Sequence, residues 1–168
     1  MKTLKSYAIL LFAAAMVFAK APAPIESGLG KVYDGYLKIQ QALADDDFQK
    51  AKTASASLVD TVKAVPTKGL DKSAKSKWDN SSASISKSLK AMGDAKDIKA
   101  LRKEFKGLTP LLVSAVETFG MKSSSAAYLI HCPMANSDWV QKDKKTMNPY
   151  YGKEMQECGE VVREVKKK

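Results

Sequence analysis

The chain has 168 residues, 45% of them hydrophobic, and 28 Lys and Arg against 18 Asp and Glu give it a formal charge of +10. That length supports one domain with a real core. The positive charge is almost all lysine, spread along every segment, with Arg102 and Arg163 the only arginines; proteins that read nucleic acid cluster arginine for bidentate contacts, so the lysines read as a solvated helix surface, with loose attraction to anionic lipid or an acidic partner left open.

Lys2 and Lys5, followed by the apolar run Ala8 to Ala19, form a secretory signal over residues 1–19. Val17-Phe18-Ala19 is a small-residue cleavage site, so the mature chain is expected to start at Lys20 with a charge of +8, Lys2 and Lys5 being lost from +10. The run is too short to span a bilayer and no second one follows, so no stable membrane insertion is expected. The expected compartment is periplasmic or secreted, and permits disulfides.

Residues 20–27, with Pro22 and Pro24, read as a linker, and a single domain is expected over 28–162. Leu29, Val32, Tyr36, Gln40 and Leu43 then recur at helical period, widened by Tyr33 and Leu37. Asp45, Asp46 and Asp47 supply the cap and first-turn acids of a second helix, whose stripe is Phe48, Ala51, Ser55, Leu58, Val62 and Val65. A third helix starts at Asp71 and uses Trp78, Ile85, Leu89 and Met92. Gly93-Asp94 closes it and caps the fourth, whose stripe Ile98, Leu101, Phe105, Leu108, Leu112, Ala115 and Phe119 has no miss. Pro110 interrupts that run, and a restart with Thr109 as cap is favoured over a kink eased by Gly107. The fold class is therefore mainly α, an antiparallel four-helix bundle.

A small cap of strand and loop is expected over about 126–162. Tyr128-Leu129-Ile130 reads as a strand leading into His131-Cys132, Asn148 to Gly152 as a turn, Lys153 to Glu157 as helical turns, Glu160-Val161-Val162 as a strand paired with the first, and 163–168 as a charged tail. This cap carries the only histidine and both cysteines, together with Met134, Met147 and Met155. Thiolate, thioether and imidazole are the donors that suit copper(I), and also silver or zinc. Cys132 and Met134, on an extended segment stiffened by Pro133, point the same way; Met155 and Cys158 share a face on a helical turn. Together they make a four-sulfur set, with His131 as an optional donor, and Gly159 lets the chain leave tightly.

Other readings of the same residues stand beside this one. Two cysteines in an exported domain commonly form a disulfide, and closing Cys132 to Cys158 stabilises a fold by about 3 kcal/mol in the loop-entropy picture. Methionines fill apolar gaps, and Trp139, although an indole face attracts cations, reads as a cap on the core. The run Asp45 to Asp47 is read as capping, not cation binding. No nucleophile elbow, HExxH, phosphate loop or CxxCH is present, and one histidine leaves little room for acid–base work, so no enzyme is expected.

Cys132-Pro133-Met134-Ala135, Trp139, Asn148-Pro149-Tyr150-Tyr151-Gly152, Met155 and Cys158-Gly159-Glu160-Val161, with Arg102, Phe105, Leu108 and Thr109 upstream, resemble a bacterial family of exported helical domains of undefined function. Members stand alone or are fused to periplasmic adaptor subunits of copper/silver efflux pumps. The resemblance implies a domain that binds or senses heavy metal, chiefly copper, in the periplasm, with Cys132, Met134, Met155 and Cys158 as ligands and an efflux-pump periplasmic subunit as a partner. His131 and Met147 depart from the family pattern, and both departures add donors.

Overall fold

The computed structural model describes residues 23–165; the expected signal segment 1–19 lies outside the described residues. Among the described residues the chain forms α1 (Ala23–Ala44), α2 (Phe48–Lys63), α3 (Lys72–Gly93), α4 (Ile98–Phe119), β1 (Tyr128–Cys132), β2 (Ser137–Gln141), a 3-10 turn (Gly152–Glu154) and β3 (Glu160–Glu164). Short connections make successive helices antiparallel neighbours, and α1 also meets α4. No described helix is long and apolar enough to cross a membrane.

The stripes expected from period bury as a core. Leu29, Val32, Tyr36 and Leu43 of α1, Trp78, Ile85, Leu89 and Met92 of α3, and Leu101, Phe105, Leu108, Leu112 and Phe119 of α4 are all buried. Tyr36 stacks on Phe105 at 5.1 Å, and Trp78 meets Phe119 edge-on at 5.8 Å. Gln40, the polar break in the first stripe, is buried because its amide donates to the Met147 carbonyl at 2.7 Å. Asp47 and Asp71 cap α2 and α3, accepting from the amides of Lys50 and Ala74.

Four local expectations are corrected. The linker reading of 20–27 fails from Ala23 onward, because Pro24 sits in the first turn of α1, where a missing N–H costs no helix bond. The cap of α4 is Asp97, accepting from Ala100 at 2.7 Å, while Asp94 ends α3. α4 runs unbroken through Pro110, with no restart; Thr109 is not a cap, since its hydroxyl is buried against that of Tyr36 at 2.8 Å. The tail reading of 163–168 fails for Arg163 and Glu164, which belong to β3, and for Val165, which is buried and donates its amide to the Ala127 carbonyl. The domain thus runs past 162 and begins before 28.

The sheet is antiparallel with strand order β2-β1-β3. β3 pairs with β1 as expected, through Ile130 opposite Val161 and His131 opposite Glu160. β2 was not expected. Its outer edge docks on the bundle where the Val140 amide donates to the Tyr36 hydroxyl at 3.1 Å, and on the C-terminal segment where the Tyr150 hydroxyl donates to the Asp138 carbonyl at 2.6 Å. One face of the sheet looks along α4; the other is covered by the segment from 142 to 159.

Candidate functional site

Register decides which face each cap residue takes. Ile130 lies opposite Trp139 and Cys132 opposite Ser137, on the face under the C-terminal segment; Leu129 lies opposite Val140 and His131 opposite Asp138, on the face toward α4. At Gly159, with φ +146°, an added Cβ would come within 2.5 Å of the Trp139 ring, so only glycine lets the chain pass over the indole. Trp139 is fully buried, as its reading as a core cap requires, with its ring N–H on Gln141 at 2.8 Å and Tyr150 against its edge.

That close passage delivers Cys158 to Cys132. The two sulfurs lie 2.9 Å apart with no bond between them. Cys132 is buried at the end of β1, and Cys158 is half-buried in the loop before β3. The sulfur of Cys132 accepts from the Ala135 amide at 3.4 Å. Burial pushes the Cys132 thiol up, but hydrogen bonds from the Cys158 thiol, the Ala135 amide, the Asn148 side chain and the Met134 amide outweigh it, and the net shift is downward. Its hydrogen bond to Cys132, then burial, raises Cys158. Of the two thiols, Cys132 is therefore the one that loses its proton more readily.

Sequence reasoning missed what holds this arrangement. Asn148 is fully buried; its side-chain oxygen accepts from the amides of Tyr150 and Tyr151, and its nitrogen donates to the Cys158 carbonyl at 2.7 Å. Arg102 donates to the carbonyls of Pro149 and Leu43, each at 2.8 Å, and to the Asp46 carboxylate at 2.7 Å. Asp46 also accepts the Lys153 amide at 3.0 Å. A single guanidinium thus ties α4, the α1–α2 corner and the segment bearing Cys158. Of the acidic run, one residue caps a helix and another holds this latch.

The predicted donors separate. Cys132 and Cys158 meet. Met134 and Met155 flank them along the chain, but not by the expected geometry: Met134 sits 63% exposed in the tight turn between β1 and β2, and Met155, at φ −144°, has left helical conformation. Neither an extended Cys132–Met134 segment nor a helical Met155–Cys158 face forms. Met147 lines a different cleft, of about 330 Å³, beside α1. His131 is turned away by strand alternation, with its Nδ1 on the Asp138 carboxylate at 2.7 Å, so it is no donor to the sulfur pair. Among the described residues no three His, Cys, Asp or Glu side chains are grouped to hold a metal ion.

A family model described as a protein of unknown function (DUF3347) matches residues 32–124, more than half of the chain, and the chain belongs to that family. The match runs from within α1 through α4 and ends before β1. No curated protein and no solved structure matches the chain.

Proposed function

We propose that this DUF3347 family member is an exported binding protein, not an enzyme, that holds copper(I) between the thiolates of Cys132 and Cys158. Met134 and Met155 serve as thioether donors. The protein buffers the ion in the periplasm or passes it to a subunit of an efflux system; silver, or more weakly zinc, fits the same donors. The observation that carries this reading is the 2.9 Å approach of two unbonded sulfurs from distant parts of the chain. A metal–thiolate bond runs about 2.3 Å, so the sulfurs must part to admit an ion. Cys158, half-exposed on a loop, is the one placed to move, and Cys132, the more readily deprotonated of the two, supplies the first ligand. The donor set has only soft atoms, which selects against hard cations. The exported setting rests on the N-terminal sequence, and the efflux partner on the family resemblance.

Anaerobic titration of the reduced protein with copper(I) against a competing chelator tests this. The expected result is one tightly held ion per chain, lost in Cys132→Ser/Cys158→Ser and weakened in Met134→Leu/Met155→Leu. Unchanged affinity in the double serine variant removes the thiolate site. A second reading, a disulfide-locked module that binds a protein, draws on the same sulfur approach and on the exposed Val161 and Val162 of edge strand β3. Counting free thiols on native protein with and without reductant separates the two: a mass lower by two hydrogens before reduction favours the second.

A further inference from the structure

We infer that Cys158 is a site of thiol–disulfide exchange with small external disulfides, and that Cys132 resolves the adduct into an intrachain disulfide that shuts the sulfur site. The consequence for metal rests on the copper(I) reading; the exchange itself does not.

The two sulfurs are placed unequally. Cys132 is wholly buried at the end of β1, so an external disulfide does not reach its sulfur. Cys158 is half-buried, in the loop between the 3-10 turn and β3. Exchange requires access to the attacking sulfur, and access selects Cys158 as the point of entry. The buried partner then has the Cys158 sulfur within reach, 2.9 Å away. The chain is fixed on both sides of that contact. The Asn148 amide donates to the Cys158 carbonyl at 2.7 Å and the Thr146 hydroxyl to the Gly159 carbonyl at 3.0 Å, while the Ala135 amide holds the Cys132 sulfur at 3.4 Å. An adduct on Cys158 therefore stays beside Cys132.

The oxidant is a small disulfide, RS–SR. Cys158, as thiolate, attacks one of its sulfurs; the RS–SR bond breaks, and one RS group leaves and takes up the proton that Cys158 gave up. Cys132, as thiolate, then attacks Cys158 Sγ; the bond from Cys158 to the remaining RS group breaks, and that group leaves with the proton from Cys132. Two protein thiols are oxidised, and one external disulfide is reduced to two thiols. The product excludes an ion. A disulfide holds its sulfurs about 2.05 Å apart and has no thiolate, whereas a metal has to part the sulfurs. A bound ion, by occupying both sulfurs, in turn blocks the exchange.

Mixing the reduced full chain with glutathione disulfide, followed by intact-mass spectrometry, tests this. The unaltered protein should lose two hydrogens without accumulating an adduct. Cys132→Ser should stop at one glutathionyl group, on Cys158, and Cys158→Ser should react more slowly by roughly tenfold or more. On the unaltered protein, the first group added by limiting iodoacetamide should map to Cys158, a readout that does not depend on how a variant folds. A stable adduct on the unaltered protein, no adduct in Cys132→Ser, an equally fast reaction in Cys158→Ser, or first alkylation at Cys132 overturns the inference. Copper(I) added beforehand should slow the exchange, and the oxidised protein should take up no copper(I) until it is reduced. Exchange in this order with no copper(I) bound by either redox form would support the inference and remove the copper reading alone.

Discussion

Asp46 occupies left-handed backbone, φ 62°, which a short polar side chain tolerates. Its carboxylate accepts the Lys153 amide and then the Arg102 guanidinium, and these hold it below the ordinary value of 3.8. A depressed carboxylate stabilises the folded state above its unfolded pKa, and that contribution is lost as pH falls through the folded value. The urea midpoint should therefore drop as pH is lowered from about 5 to about 2, and Asp46→Asn should flatten part of that slope. The group is largely exposed, so high salt should shrink the difference. At this scale the sequence was partly readable. Once Tyr128 to Cys132 is taken as a strand, neighbours His131 and Cys132 must face opposite ways, so the separation of histidine from the sulfurs was available in principle. The role of Asn148 was not: a buried amide that satisfies backbone groups in a turn looks, in sequence, like any turn asparagine.

At the scale of elements, α4 carries a proline at the thirteenth residue of a continuous helix, and Pro110 leaves the Lys106 carbonyl without its helical donor. Because the position is exposed, Pro110→Ala should extend the ladder without disturbing the core and raise stability by about 1–3 kcal/mol in urea unfolding. A loss instead would mean that the ring packs in a way its exposure does not suggest. The helices were legible because each buries a single stripe, so burial and period coincide. β2 was not legible because its Trp139 and Val140 are buried on opposite faces, one under the C-terminal segment and one toward α4. A strand covered on both sides has no alternation to read. The start of α1 was misplaced because proline signals a helix beginning as well as a break.

For the whole molecule, the bundle and the sheet are held together at a few polar points. Arg102 reaches the Pro149 carbonyl while gripping Leu43 and Asp46 at the α1–α2 corner, Tyr36 links Thr109 of α4 to Val140 of β2, and Gln40 secures the Met147 carbonyl. Arg102→Ala should cost about 3 kcal/mol in unfolding free energy. It should leave helical circular dichroism unchanged while speeding alkylation of Cys158, since the segment that carries that cysteine loses its anchor at Pro149. Equal alkylation rates in the two proteins would show that the segment is held elsewhere.

The central position of β1 also has a bearing on how the chain is made. Its partner β2 follows directly across a tight turn, whereas β3 emerges only after the intervening segment has been synthesised. Through that interval β1 has one open edge, and the thiol at its end has no mate. Cys132 therefore gains its neighbouring sulfur only when β3 closes on β1, so the last strand to pair is also the one that completes the cysteine pair.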